Sequence, residues 1–599
     1  MPPNQTPATK AATATAHRQL SRNMAGAADF IQRFVHGLEA GGFAIWIRRG
    51  LIATAILTIV IYHMWNFRGL ATSQAMDQAQ IGREIVNGRG WRTNVVRPRA
   101  IAQLQRAGHN VDEKVSYDTY HAPLPSLVNA IALLPVKSHL HMTPRDPIFI
   151  GDKAIAIMSI LLFIGSVVVL FFIARRLFDQ RLALLACGLV LLCDMMWQFS
   201  LSGLPQMLML LLFNATLYAM IRCVEAHTAG QPLTFWLVAV GAGFGLLALT
   251  HALTIWMFVA ALAFCIFAFR PRWRSAGIVA LVFVVIYTPW LVRTYAVSGN
   301  VGGVAIYSIL HGIGQSEAAH MRSMDLYEAD ARLAVFRRKF TLNLLEQSNA
   351  LFGYLGGSVV AMMFFLALLH RFKRREATTV HWMLLSMWVG ALAGMVVYGV
   401  TTEQGVAANN LHLLFMPIMT CYGLAFLLVH WGRLDINLSF ARTAFIAGLY
   451  LLCALPMIIA TPLFSGRKIA VRWPPYLPPY VAVLNEWMDP GEVIASDMPW
   501  AVAWYSDRRA LWLPETVQTF IELSDYRLAG GPINGIYLTP ISGSQNTLGD
   551  ILRGEYRDWS GVILRTMDPQ KMPLRTITML GLGNECMFLS DRNRQKPPP

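Results

Sequence analysis

The chain has 599 residues, 55% of them hydrophobic and only 14% charged. No soluble protein of this length needs so much apolar surface, and repeated apolar runs of roughly 17–25 residues mark bilayer-spanning helices. The net charge is +16. The basic residues concentrate beside the apolar runs, so they read as orientation signals in a membrane and not as a nucleic-acid surface.

Residues 1–20 are rich in Ala, Thr and Pro, a composition that predicts disorder. The first apolar run starts only at Leu51, beyond the range of a cleavable signal peptide. Met24, Ala27, Phe30, Ile31, Phe34, Val35 and Leu38 form a helical stripe flanked by Arg22 and Arg33. Two readings fit it equally: a helix on the cytoplasmic membrane face, or one packed on the protein itself.

About eleven spanning helices are expected, near 51–67, 153–174, 182–198, 206–222, 233–250, 252–269, 276–292, 355–371, 380–400, 411–431 and 443–463. One set of connections carries Arg48/Arg49, Arg175/Arg176/Arg181, Arg222, Arg270/Arg272/Arg274, Arg371/Lys373/Arg374/Arg375 and Arg433/Arg442. The short connections between them carry no Lys or Arg. This alternation puts the N-terminus in the cytoplasm, and an odd helix count puts the C-terminus outside. Three divisions follow: a cytoplasmic segment 1–50, a transmembrane domain 51–464 with outer loops 68–152 and 293–354, and an extracytoplasmic domain 465–599.

In that last domain Val493–Asp497 and Asn534–Leu538 read as strands, with helices near Tyr480–Met488 and Glu515–Leu528. Strands alternating with helices predict a small α/β fold, followed by a disordered tail at Arg592–Pro599. Of the seven cysteines, six lie in or beside membrane runs and Cys586 stands alone. Neither a disulfide framework nor a zinc site is expected.

Asp77 opens the first outer loop, about ten residues past the first span, near the start of a helix that stops at Gly88. A carboxylate there can take a proton from a substrate at the membrane surface. It can equally be a plain helix N-cap. Further on, Tyr117–Pro125 is aromatic, polar and proline-stiffened, with Tyr120 placed to act as an interfacial anchor. Asp194 lies near the outer end of the third span. Asp152 and Lys153 stand at the start of the second and can form a local pair.

These segments together resemble the GT-C glycosyltransferases, in particular the protein O-mannosyltransferases and aminoarabinose transferases. The resemblance rests on AMDQAQIGREIVNGRGW (Ala75–Trp91), YHAPLP (Tyr120–Pro125), ARRLFDQR (Ala174–Arg181), FSLSGLPQMLMLLLFNATL (Phe199–Leu217), GLLALTHAL (Gly245–Leu253), TPWLVRTYAVSGN (Thr288–Asn300) and NNLHLLFMP (Asn409–Pro417). It covers most of residues 51–463, and the order and spacing of the segments carry it more than any one of them.

The resemblance implies transfer of a sugar from a polyprenyl-phosphate carrier to an acceptor on the outer face of a bacterial inner membrane. The acceptor would be a protein, lipid A or a polysaccharide, and membrane lipids surround the reaction. It implies Asp77 as general base and inversion at the anomeric carbon. Arginine suits the phosphate because its fork binds oxygens in pairs. Arg293, Arg322 and Arg337 are the candidates, against snorkelling for Arg293 and a solvated or headgroup-facing run for Arg337. Tyr120, His121, Asp118 and His251 are further substrate-binding candidates. Trp504 and Tyr505 can stack on sugars or simply fill a small core.

The chain also departs from the family. Gln206 stands where many relatives carry a second acidic residue, Thr250-His251 replaces Thr-Lys, and Asn409-Asn410-Leu411-His412 replaces a frequent Arg-Tyr. No obligatory metal is expected; a divalent cation is possible, with Asp118 or Glu84 helping to bind it. The departures keep open a non-catalytic scaffold that binds lipid-linked glycans. A transporter is disfavoured because no internal repeat is visible.

Overall fold

The computed structural model describes residues 42–70, 72–109, 111, 116–310, 317–326, 333–403, 405–434, 439–464, 478–542, 548–566, 572–580 and 586–595. The stripe expected over Met24–Leu38 lies outside them. Two compact units are formed: one by the chain up to Asn66 together with Trp431–Gly466, the other by Phe67–His430 together with Arg467–Pro599.

The helices that matter here are, in chain order, α1 (Gly42–Asn66), α2 (Ser73–Val86), α3 (Pro98–Arg106), α4 (Pro123–Leu133), α5 (Ile150–Leu177), α6 (Gln180–Leu191), α7 (Asp194–Ser202), α8 (Gln206–Thr228), α9 (Thr234–Thr250), α10 (Thr254–Ala268), α11 (Arg272–Ser298), α12 (Leu333–Tyr354), α13 (Val359–Ala367), α14 (Arg375–Tyr398), α15 (His412–Trp431), α16 (Ser439–Ile459), α17 (Pro478–Trp487), α18 (Pro499–Tyr505) and α19 (Val517–Asp525). The first unit holds α1 and α16. Within it Asn66 reaches the Ala460 carbonyl, and Trp431 stacks on Phe445.

Among the described residues six helices are long and apolar enough to cross a membrane: α5, α8, α11, α14, α15 and Ala441–Ile459. The number rises to as many as eight if two bent pairs each count as one span, and three shorter apolar helices join them. The chain is thus a polytopic helical membrane protein. Two expected spans are not straight rods. The span expected over 182–198 breaks between α6 and α7, which meet at 59°. The one expected over 355–371 is only α13, bent by 119° from the end of α12. Gly356 and Gly357 lie at that corner with φ of +74° and +64°, a conformation costly for residues with a Cβ.

Helix α2 sits in the loop after the first unit's α1. Thr72 caps it, its hydroxyl accepting the Ala75 N–H at 3.2 Å. Its residues Ala75–Glu84 are all buried, so both polar and apolar faces are covered by protein. Gly82 makes this possible on one side. A Cβ there would lie 3.0 Å from Asn129 Cβ and 3.1 Å from the Ser126 carbonyl oxygen, so a side chain at this position would push α2 and α4 apart by a few tenths of an ångström.

The C-terminal sheet has strands β1 (Val95–Val96), β2 (Val493–Ser496), β3 (Arg509–Trp512), β4 (Ile533–Leu538), β5 (Thr576–Leu580) and β6 (Cys586–Ser590), in the order β1-β3-β2-β4-β6-β5. The β1–β3, β3–β2 and β2–β4 pairs are parallel; β4–β6 and β6–β5 are antiparallel. Both expected strands are present as β2 and β4. Every residue of β2 is buried, as befits a central parallel strand covered on both faces. One edge strand, β1, comes from the first long loop. Val96, Ile101 and Leu104 from that loop pack into the same core as Leu511, Phe520, Ile536 and Trp559. The domain expected over 465–599 is therefore completed by residues some 400 positions earlier.

Candidate active site

Asp77 projects from the second turn of α2 into a buried polar cluster. Its Oδ2 accepts hydrogen bonds from Arg97 Nη2 and from His121 Nε2, the latter at 2.9 Å. Thr93 Oγ1 lies 3.5 Å from Oδ1 and 3.2 Å from Gln80 Oε1. The Asp77, Arg97 and His121 side chains are 2%, 7% and 2% exposed. Burial alone would raise the Asp77 pKa, but the Arg97 charge and the hydrogen bonds from Arg97 and His121 outweigh it and hold the carboxyl at about 2. Asp77 is ionised at neutral pH.

Asp118 builds the turn that presents His121. Its two carboxylate oxygens accept the backbone N–H groups of Tyr120 (3.2 Å) and His121 (3.1 Å), an Asx-type turn. The Tyr120 ring lies under the Arg97 guanidinium at 4.3 Å and edge-on to His121 at 4.9 Å. The Asp118 carbonyl in turn accepts Arg293 Nη1, while Arg293 Nη2 donates to the Trp91 carbonyl at 3.3 Å. Arg293 also stacks on Trp290 and stays half-buried, so N–H groups remain to it for a further partner. His251 closes the group. Burial pushes its pKa down to about 4 despite a hydrogen bond to Asn409. A small cavity of about 10 Å³, room for about one water, is lined by Thr93, Arg97, Ala100, Asp118, Tyr120 and Val304.

The structure thus gathers Asp77, Asp118, Tyr120, His121, Arg293 and His251 into one neighbourhood. Arg97 was not foreseen from the sequence. The signal available was an arginine before proline at a helix start, in Arg97-Pro98-Arg99; nothing in it names Asp77, 20 residues earlier, as the partner.

Other candidates serve elsewhere. Arg322 is buried with three donors on the carbonyls of Leu513 (2.7 Å), Pro514 (3.0 Å) and Glu555 (3.0 Å), and it stacks on Tyr556. It fastens the second long loop to the C-terminal sheet and has no fork left for a phosphate. Trp504 and Tyr505 are buried as well. They donate to the two oxygens of Asp152, at 2.7 and 3.0 Å, so their faces are closed to a sugar and the expected Asp152–Lys153 pairing gives way to this one. Arg337 lies exposed on α12. Asp194 takes a hydrogen bond from Gln198. Gln206 donates to the Ala408 carbonyl at 2.6 Å. Glu84 pairs with Arg89. Among the described residues no three His, Cys, Asp or Glu side chains converge as metal ligands would.

Residues 149–292 match the family model described as dolichyl-phosphate-mannose-protein mannosyltransferase. The fold is similar to crystal structures of ArnT from Cupriavidus metallidurans. For the form bound to undecaprenyl phosphate the TM-score is 0.55 at 12% identity, covering 92% of this chain and 99% of that one. For the apo form it is 0.52 at 13% identity, covering 92% and 100%. The apo oligosaccharyltransferase of Archaeoglobus fulgidus gives 0.50 at 12% identity, covering 82% of this chain and 70% of that one. No curated protein sequence matches. Residues 149–292 are thus similar to that mannosyltransferase family, and the fold over most of the chain is similar to that of these structures.

Proposed function

We propose that the protein transfers a sugar from a polyprenyl-phosphate donor to an acceptor hydroxyl at the periplasmic face of a bacterial inner membrane, with inversion. The observation that carries this reading is the buried Asp77–His121–Arg97 cluster. It is a basic centre beside Arg293 of α11, on a scaffold similar to the GT-C fold. A single displacement needs a group to take the acceptor's proton and cations to receive the leaving phosphate. The Asp77–His121 pair supplies the first. Arg293, with spare N–H groups beside the His121 turn, supplies the second. A lipid-phosphate donor accords with the undecaprenyl phosphate bound in the ArnT structure and with the mannosyltransferase match. A protein, lipid A or a polysaccharide remains the acceptor class. The positive residues around the spans favour a cytoplasmic N-terminus, which sets α2 and the C-terminal domain in the periplasm.

The test is a glycan comparison in the source cell between wild type and Asp77→Asn, with equal membrane levels confirmed by blot. Loss of a sugar from one envelope glycan, with accumulation of a lipid-linked sugar, supports transfer and names both substrates. Profiles that match the wild type, while deletion of the gene changes them, turn the reading to a scaffold for lipid-linked glycans. The bonding of Gln206 to a carbonyl, where relatives carry an acid, is the feature that favours that second reading.

A further inference from the structure

Resting on the transfer reading above, we infer that His121, through Nδ1, takes the acceptor's proton, and that Asp77 is the positioning carboxylate behind it. The family resemblance gives the proton to the aspartate. The geometry in this chain does not suit that assignment. Asp77 Oδ2 is occupied twice, by Arg97 and His121, and Oδ1 faces Thr93. A base must lie within hydrogen-bond reach of the proton it removes; both side chains are buried alike, but both oxygens of the carboxylate already face partners, whereas only Nε2 of the His121 ring does. It is also an unusually weak base, since Arg97 and His121 stabilise the anion.

The tautomer of His121 follows from the same contacts. An ionised carboxylate only accepts hydrogen bonds, so the 2.9 Å contact requires a proton on Nε2. A neutral imidazole then carries its lone pair on Nδ1, and no partner for Nδ1 is found among the described residues. Asp118 fixes the ring's backbone from one side and the Tyr120 ring fixes its face from another. Four charged groups stand around its turn: Asp77 from α2, Arg97 from the start of α3, Asp118 from its own turn, and Arg293 from α11. His251, after α9, is kept neutral by burial.

The step balances without a further reactant. The acceptor O–H bond breaks and its proton goes to Nδ1. The oxygen lone pair forms the bond to the anomeric carbon. The bond from that carbon to the phosphate oxygen breaks, and its electrons leave with the lipid phosphate beside Arg293. The new imidazolium is neutralised in place by Asp77, and it returns the proton to solvent or to the departing phosphate.

The experiment uses full-length protein in membrane vesicles from the source cell, with their own donor and acceptor. Initial rates of sugar incorporation are followed from pH 4.5 to 8.5. His121→Gln should lower the rate about 10²–10⁴-fold. Added imidazole should partly restore His121→Ala. Asp77→Asn should lose a comparable factor through the wrong tautomer, with no rescue. His121→Gln active within about threefold of wild type alongside a dead Asp77→Asn would return the proton to Asp77 and leave the transfer reading intact. Both variants active would remove the base from this cluster altogether. Wild-type vesicles no different from vesicles lacking the protein would sink the transfer reading itself. If the His121 variants fail to reach the membrane, ¹⁵N spectra of histidine-labelled wild type decide: a proton on Nδ1 overturns the inference, and a proton on Nε2 supports it.

Discussion

The indole N–H of Trp504 and the carboxylate of Asp152 meet at 2.7 Å although 352 residues separate them in the chain. Tyr505 binds the other oxygen of the same carboxylate, and Phe149 packs edge-on against Trp504. Helix α18 of the C-terminal domain is thereby locked to the start of α5. Trp504→Phe keeps the ring and deletes the donor, leaving a buried carboxylate with one bond fewer. The expected cost is about 1.5–3 kcal/mol. Thermal unfolding in detergent checks it: Trp504→Phe should melt several degrees below wild type, with protease-sensitive sites appearing first within 478–595. A variant as stable as wild type would show that the pair adds nothing to the docking.

Arg83 makes the second attachment, and it does so from the helix that carries Asp77. Its guanidinium donates to the carbonyls of Ala503 (2.6 Å) and Trp504 (2.8 Å) and pairs with Asp507 at 2.8 Å. Lysine cannot reproduce that fork. Arg83→Lys should therefore destabilise the protein by about 2–4 kcal/mol and lower turnover more than substrate affinity, because the shift it permits is in α2. Rates at saturating and limiting acceptor separate the two effects. Unchanged turnover would mean that α2 holds Asp77 without help from the C-terminal domain.

These attachments also show where sequence reasoning runs out. Run length and composition located six helices long enough to cross a membrane among the described residues, because the hydrocarbon core demands long apolar stretches, but not the breaks in the spans expected over 182–198 and 355–371. The strands β2 and β4 were legible because a buried parallel strand is an uninterrupted apolar run. Asp77 was legible through resemblance, as were the neighbours that follow it in the Tyr120–Pro125 motif. A two-residue strand such as β1 has no period to detect. The partners of Arg322 are backbone carbonyls, which no side-chain pattern announces. The aromatic run around Trp504 was open to a sugar-stacking or a core reading, and only burial against Asp152 decides between them.

The Asp77 cluster sets an acid limit on stability. Its carboxyl is held at about 2 in the folded protein against 3.8 for the free group. The depressed value means the folded state binds this proton less readily than the unfolded chain. The stabilisation is fully present above about pH 4, worth about 2 kcal/mol, and is lost as pH falls from about 4 towards 2. Asp77→Asn should flatten that acid limb in a series of melting curves. It should also lower stability at pH 7 by about 3–5 kcal/mol, since Arg97 is left buried without its counter-charge. An acid limb identical in both proteins would assign it to other carboxylates.

The segment 399–410 ties the helix ends around the cluster together. Glu403 accepts the backbone N–H of Ser73 at 3.0 Å and its hydroxyl at 2.8 Å, at the first residue of α2. A carboxylate at a helix N-terminus satisfies exposed N–H groups and complements the helix dipole. Farther along the segment, the Ala408 carbonyl holds Gln206 at the start of α8, and Asn409 binds both Gly399 and His251. One strap therefore reaches α2, α8 and the turn after α9. Glu403→Gln keeps the shape and removes the charge, and should cost about 0.5–1 kcal/mol. Glu403→Ala removes the bonds too and should free the strap. The consequence to measure is hydrogen exchange: amides of Ser73–Met76 should exchange faster in Glu403→Ala while those of α14 stay protected. Since α2 begins at Ser73 and Asp77 lies one turn on, the same variant should slow sugar transfer without abolishing it. Exchange at Ser73–Met76 that matches wild type would show that Thr72 alone caps the helix.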